Sequence, residues 1–139
     1  MPRPEVKIRL ATEADADDLK RLVKFCGFEF EGWEIDWTDA NPHWLVADYG
    51  GQPMGCIQVC YGRPIGRIEI LGIDDSLDHR SRAAVARALV TGAARVLGDY
   101  GAQAVSGLIP FEMKGYKRLL KRRGAVTLCS GNLLMYRLR

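Results

Sequence analysis

Residues 68–97 combine a predicted strand, a short polar loop and a long helix, and the start of this helix suits a phosphate group. Residues 68–73 are apolar except at Glu69 and Gly72, which favours a mostly buried strand. One helical stripe then carries Val85, Leu89, Ala93 and Val96. A helix N-terminus presents unpaired N–H groups and the positive end of the helix dipole, and Arg80 and Arg82 add charge there. The exact start is open, because four residues can cap the helix: Asp75, Ser76, Asp78 and Ser81.

Glu69 is the one carboxylate inside this predicted strand. Apolar neighbours raise the pKa of a carboxyl group toward the range in which it can accept a proton at neutral pH. The alternatives are a side chain that faces solvent, or one that pairs with Arg67 or with a basic residue of a neighbouring strand.

Residues 28–44 mix carboxylates with aromatic rings and hold few aliphatic residues. Trp33 and Trp37 are four positions apart and can share a short helical face. One interpretation is a loop that aromatic side chains hold to the core. The other is an acceptor cleft in which Trp33, Glu34 and Trp37 attract and hold a cationic amine. His43 fits a strand edge better than a catalytic position.

The remaining pattern predicts an α/β chain. Strands are expected at residues 6–10, 44–48, 54–62, 67–74 and 103–109, and a closing hairpin at 125–129 and 133–138. Helices are expected after Thr12, over the central stripe and from Pro110 to Arg123. Three antiparallel strands therefore precede the central helix, which crosses over to the strand at 103–109.

Length and composition predict one domain over residues 1–139, with no membrane partner. No apolar run is as long as a membrane span and the first residues lack a signal-peptide core, so a cytoplasmic location is expected. Four cysteines show no Cys-x-x-Cys pairing and the two histidines form no ligand cluster with them. Neither a metal nor a disulfide is predicted.

The net charge of +3 is unevenly placed, because residues 110–123 hold six Lys or Arg and only Glu112 as an acid. This predicted basic helix has three interpretations: a solvated face favourable to the helix dipole, a site for a coenzyme phosphate, or a nucleic-acid surface. A nucleic-acid partner is not expected, since it usually accompanies a larger net positive charge or a known module.

In their order, these elements resemble the GCN5-related N-acetyltransferase (GNAT) superfamily. The resemblance rests on the opening strand with Thr12-Glu13-Ala14-Asp15, on the strand, loop and helix at 68–97, and on Lys121–Ala125 and residues 133–138. It implies a single GNAT-like (acyl-CoA N-acyltransferase) domain of α/β class, with a mixed, mostly antiparallel sheet flanked by helices. It also implies acetyl-CoA as cosubstrate.

The resemblance assigns residues to the site. The cofactor-binding positions are Leu71, Gly72, Ile73, Arg80, Ser81, Arg82, Ala83, Ala84 and Val85. Ala83 and Val85 stand where the family carries glycines, and Leu120 stands where it carries a tyrosine. Glu69 is the implied general base, and the N–H of Leu71 or Ile73 is the implied oxyanion donor. For the leaving thiolate, the first candidate acid is Tyr116, one turn before Leu120 on the same helix, and Ser106 is a distant second.

The sequence is consistent with two functions of different classes, an enzyme and a binding module. The first is transfer of an acetyl group from acetyl-CoA to a small-molecule or protein amine. The second is a catalytically silent GNAT-fold module that binds a protein or nucleic-acid partner, which the missing glycines and tyrosine favour. The sequence leaves a homodimer open.

Overall fold

The computed structural model describes residues 2–27, 32–37, 43–109 and 113–128. The strands are β1 (Val6–Leu10), β2 (His43–Tyr49), β3 (Gln52–Cys60), β4 (Ile65–Ile73) and β5 (Ala104–Gly107). The helices are α1 (Ala16–Val23), α2 (His79–Tyr100) and α3 (Lys114–Arg122). Short 3-10 helices precede and follow α1, at Glu13–Asp15 and Lys24–Cys26.

The five strands form one mixed sheet in the order β1-β2-β3-β4-β5. The first four pair antiparallel, and β5 pairs parallel to β4 with α2 as the crossover. The predicted meander, the crossover and the fold class are therefore confirmed. The strand predicted at 103–109 is shorter, and described residues 125–128 are not in a strand, contrary to the predicted start of the closing hairpin. The rest of that hairpin lies outside the described residues.

The two faces of the sheet carry different helices. A Cβ added to Gly55 would meet Val85 and Leu89, so this position of β3 faces α2. A Cβ added to Gly72 would lie 2.3 Å from the carbonyl oxygen of Leu22, so this position of β4 faces the end of α1. Only glycine permits that close approach between a strand and a helix backbone.

The ladder between β3 and β4 contains a register shift that decides where Glu69 lies. Ile57 pairs with Leu71 and Val59 pairs with Ile68, so two steps along β3 oppose three along β4. Side chains alternate between faces along a strand, and one extra residue reverses that alternation. Arg67 and Glu69 before the shift therefore share the α1 face with Gly72 after it.

The core on the α1 face is built by one apolar stripe of the first helix. Leu19, Leu22 and Val23 are fully buried and pack with Trp44, Val46 and Cys56 of the sheet. Asp15 is also buried, and both oxygens of its carboxylate are satisfied, since they accept hydrogen bonds of 2.8 Å from the guanidinium of Arg9. One of those oxygens also accepts the N–H of Thr12 at 2.8 Å, which is the reciprocal hydrogen bond of a capping box with Thr12 as the N-cap residue.

The chain divides into two compact units, Met1–Gly107 and Leu108–Arg139. The first contains the five described strands with α1 and α2, and the second contains α3. The predicted single domain over 1–139 stays a prediction. The basic helix is shorter than predicted at its start, since the first described helical residue is Lys114, and Gly124 follows it with a φ of 93°.

Candidate functional site

The edge of β4 is open over its last residues. β5 pairs with β4 only from Ile65 to Ile68, whereas β4 runs on to Ile73. The N–H of Asp74 donates to Met54 of β3 at 2.9 Å, and backbone groups alternate in direction along an antiparallel pair. The amides of Leu71 and Ile73 therefore point away from β3, toward an edge that no described strand occupies. A carbonyl oxygen or an extended amide chain can bind there.

Glu69 lies next to this edge, on the α1 face of the sheet. Its Oε1 is 3.2 Å from Nε of Arg67 and 4.0 Å from Sγ of Cys60, which pairs with Arg67 across β3 and β4. The ion pair with Arg67 was one of the alternatives open from the sequence. Both side chains reach solvent, with 36% of the Glu69 side chain and 63% of the Arg67 side chain exposed, so an incoming amine can reach the carboxylate.

The segment with Trp33 and Trp37 lies on the same side. Trp33, Ile35 and Trp37 are half-buried against the α1 core cluster, and so is Ile70, which follows Glu69. Residues 32–37 form no helix, so the two indoles share a side by alternation rather than by the helical spacing predicted. Glu34 points outward and pairs with Lys20 of α1 at 3.0 Å. Other residues of the predicted acceptor segment lie outside the described ranges.

The start of α2 differs from a phosphate-binding loop. Asp78 is the N-cap, and its Oδ1 accepts the N–H of Ser81 at 2.7 Å. The N–H of Arg82 donates to the carbonyl of Asp78 at 2.9 Å. The backbone hydrogen bond from Ser81 lowers the pKa of Asp78, which keeps this carboxylate charged at neutral pH. A carboxylate already sits where a phosphate would bind the first turn of the helix.

The predicted phosphate-binding residues lie inside α2 and face different ways. Val85 is fully buried against Gly55 of β3, and Ser81 is buried with its hydroxyl 2.8 Å from that of Tyr49. The side chains of Arg80 and Arg82 are exposed. The structure thus leaves the two guanidinium groups, rather than a row of backbone amides, as the freely available phosphate donors of this turn.

Arg21 is a residue that sequence analysis missed. From α1 its guanidinium donates to the carboxylate of Asp74 and, at 2.6 Å, to the carbonyl of Pro53. Burial alone would raise the pKa of Asp74, but hydrogen bonds from Ser76 and Arg21 outweigh it and lower that pKa. Arg21 thereby fixes the end of β4 and the loop before α2. Its partners are far away in the sequence, so no local pattern could have indicated this role.

Tyr116 lies in the second unit, and its hydroxyl is buried without a hydrogen-bond partner among the described residues. Burial raises the pKa of Tyr116 to about 12. An ordinary thiol has a pKa of about 8.5, so Tyr116 holds its proton more tightly than a leaving thiolate would. Its hydroxyl can donate a hydrogen bond but is a weak proton donor.

Neither a metal cluster nor a spanning helix is found in the described part of the chain. No group of three or more His, Cys, Asp or Glu residues there is placed to hold a metal ion. Among the helices with described residues, none combines the length and the apolar character that crossing a membrane requires. His43 begins β2 with its ring edge-on to that of Tyr61, at a centroid distance of 4.8 Å.

Comparisons with known proteins support the fold. No protein-family model matches the sequence, and no curated protein matches it. Among solved structures, a transcriptional regulator from Bacillus halodurans C-125 aligns with a TM-score of 0.77 and 17% identity, over 95% of this chain and 100% of that one.

Two acetyltransferases align similarly. Aminoglycoside N-acetyltransferase AAC(6′)-Iy in complex with CoA gives a TM-score of 0.75 at 15% identity, over 100% of this chain and 99% of that one. Ribosomal-protein-alanine N-acetyltransferase from Brucella melitensis biovar Abortus 2308 gives a TM-score of 0.73 at 16% identity, over 95% of this chain and 100% of that one. The chain therefore has the fold of these acetyltransferases, and the fold that the resemblance in its sequence implies is confirmed.

Proposed function

We propose that this protein is an N-acetyltransferase that uses acetyl-CoA to acetylate an amine. One observation carries the proposal: the amides of Leu71 and Ile73, which face an edge that no described strand occupies, and the carboxylate of Glu69 lie together near the end of β4. These are the two kinds of group that acyl transfer to an amine requires, a base and an oxyanion donor. When bound, acetyl-CoA supplies the acyl group as an activated thioester.

Glu69 accepts the proton that an ammonium must lose before it can attack a carbonyl carbon. Arg67, at 3.2 Å, orients this carboxylate along the strand. The N–H of Leu71 or Ile73 donates to the carbonyl oxygen that gains negative charge during attack. Because both functions come from β4 itself, their separation is set by a rigid strand rather than by a loop.

Coenzyme binding is proposed for two parts of the chain. Leu71, Gly72 and Ile73 offer the strand edge for an extended amide-containing arm, and Arg80 and Arg82 offer charge for its phosphates. Ser81, Ala83, Ala84 and Val85 contribute through the helix that positions those guanidinium groups, since Ser81 and Val85 are buried. Tyr116 is the candidate hydrogen-bond donor to the leaving thiolate.

The acceptor is proposed to be a small-molecule or protein amine. The structural neighbours include one enzyme for an aminoglycoside and one for a ribosomal-protein alanine. Here Trp33 and Trp37 provide aromatic surface beside Glu34, a combination that suits a cationic amine.

Thermal melting with acetyl-CoA tests coenzyme binding first. At about 100-fold over Kd the ligand should stabilise the fold by about 2.7 kcal/mol. A panel of amines, followed by release of free thiol, then tests transfer. A melting shift together with thiol release that depends on an amine supports the proposal, and a well-folded sample without a shift contradicts it.

The second candidate is a silent GNAT-fold module that binds a partner. The observation that favours it is the capped helix start, where Asp78 accepts the N–H of Ser81. A coenzyme phosphate must then compete with a resident carboxylate. Coenzyme binding in the melting experiment would count against this candidate.

A further inference from the structure

One side of α3 presents a stripe of positive charge. Residues at helical spacing share this face and are all exposed: Lys114, Lys117, Arg118, Lys121 and Arg122. The other side of the helix carries Tyr116, Leu119 and Leu120, which are half-buried. Helix α3 is therefore amphipathic, and the whole of its polar side is cationic.

No described residue neutralises the stripe. Residues 113–128 contain no Asp or Glu, and no ion pair between described residues includes a residue of α3. By contrast, Arg9, Lys20, Arg21 and Arg67 of the first unit all pair with carboxylates. Within the described ranges, the cations of α3 therefore have no carboxylate partner and can bind an external anion.

The stability of the helix does not explain this arrangement. Lys121 and Arg122 lie in the last turn, where cations are favourable to the helix dipole. Lys114 and Lys117 lie at the opposite end, where the dipole disfavours them. Like charges three or four residues apart also repel. The stripe therefore opposes formation of the helix that carries it, which points to a binding role.

Charge is divided sharply between the two units. Residues 108–139 hold eight Lys or Arg and one Glu, a formal charge of +7, whereas residues 1–107 hold twelve basic and sixteen acidic residues, a formal charge of −4. The net charge of the whole chain, +3, averages these values. The expectation that a nucleic-acid partner is unlikely rests on that average, but such charge asymmetry between parts of a chain is typical of polyanion binding.

We propose that α3 binds the phosphate backbone of a nucleic acid without regard to sequence. Its nine residues span about 13 Å, which corresponds to about four phosphates along one strand. Lys and Arg contacts to phosphates position a protein on nucleic acid but do not select bases. A membrane surface fits less well, because it requires an exposed apolar face opposite the basic one, and the apolar side chains of α3 are half-buried.

Fluorescence anisotropy of the full chain with a labelled single-stranded RNA of about 20 nucleotides tests the proposal. We expect a Kd in the micromolar range at about 50 mM KCl that weakens steeply toward 200 mM. Four to five neutralised phosphates predict a slope of log K against log salt of about −3.

Matched variants separate α3 from general attraction. K117Q/R118Q/K121Q should weaken binding at least about 10-fold at low salt and make the slope about 2 shallower. K7Q/R87Q/R95Q removes the same number of exposed charges from the first unit and should leave the Kd within about 2-fold. K117R/K121R keeps the charges and should keep the affinity, and circular dichroism confirms that all variants fold.

The proposal is overturned if the protein does not bind RNA at low salt, or if the two triple variants lose the same affinity for RNA. Displacement of RNA by acetyl-CoA would assign the stripe to the coenzyme instead. Binding to phosphatidylserine vesicles without binding to RNA would assign it to a membrane surface.

Discussion

The carboxylate of Asp78 accepts the backbone N–H of Ser81 at 2.7 Å and so occupies the first turn of α2 with the protein's own negative charge. Asp78 to Asn keeps an oxygen that can cap the helix but removes the charge. We expect this variant to keep its Tm and to bind acetyl-CoA several-fold more tightly. Calorimetric titration measures the affinity, and thermal melting measures the stability.

Asp78 to Ala is the matched control, because it removes both the charge and the cap. It should lower the Tm while it also relieves repulsion of a phosphate. If Asp78 to Asn leaves the coenzyme affinity unchanged, the phosphates do not approach this turn.

Glu69 and Arg67 yield a kinetic prediction. Glu69 to Gln removes the proposed base and should lower kcat by about 100-fold or more, with little change in the Kd for acetyl-CoA. Rapid kinetics of thiol release, with the coenzyme affinity measured separately, distinguishes the two effects. Arg67 to Gln is the companion variant: a smaller loss of kcat is expected, because the carboxylate remains but loses its orienting partner. An unchanged rate in Glu69 to Gln would remove this residue from the mechanism.

Gly72 should not tolerate a side chain. A Cβ there would lie 2.3 Å from the carbonyl oxygen of Leu22, which is backbone and cannot turn aside. Gly72 to Ala should therefore lower the free energy of unfolding by about 1–3 kcal/mol. In α2 a Cβ on Gly98 meets nothing within 4 Å, so Gly98 to Ala should raise the free energy of unfolding by about 0.4–1 kcal/mol. Urea denaturation measures the free energy of unfolding of both variants. Equal changes in the two variants would contradict the close approach of β4 to α1.

Asp15 makes stability depend on pH. Hydrogen bonds from Arg9 hold the pKa of Asp15 below its ordinary value. The stabilisation is therefore complete above the unfolded-state pKa of about 3.9 and is lost as the pH falls through the folded-state pKa. Asp15 to Asn should cost about 2 kcal/mol at neutral pH, because it breaks charge-assisted hydrogen bonds with Arg9.

Urea denaturation between neutral pH and about pH 3 tests this, since the difference between wild type and Asp15 to Asn should shrink below about pH 4. Asp17 to Asn, which changes an exposed acid in the first turn of α1, is the control. A constant difference across this range would show that Asp15 contributes by packing rather than by charge.

The sequence predicts the order of strands and helices because each one has its own local pattern. Alternation defines β1, the stripe from Val85 to Val96 defines α2, and Gly27 and Gly101 mark helix ends. The capping of α2 by Asp78 was among several choices that local pattern could not separate, since four polar residues precede the helix. Contacts over long separations, such as Arg21 with Asp74 or Tyr49 with Ser81, leave no local trace.

The site was predicted only in part for the same reason. Glu69 stood out as a lone carboxylate in an apolar strand, and its pairing with Arg67 was one of the stated alternatives. The burial of Ser81 was not foreseen, and Val85 belongs both to the predicted apolar stripe and to the family motif, of which its burial in a regular helix fits only the stripe. Which face of the sheet Glu69 occupies depends on a register shift that alternation alone cannot locate.

The extra residue in β4 makes this strand one residue longer than regular pairing with β3 requires. A deletion between Ile68 and Leu71 would therefore restore regular pairing and leave every later side chain, Gly72 included, on its present face. A deletion after Leu71 has no extra residue to absorb it and would turn the rest of the strand to the opposite face. The sheet can thus lose a residue at the shift, but the loss would fall on the candidate site, because Glu69 lies within it.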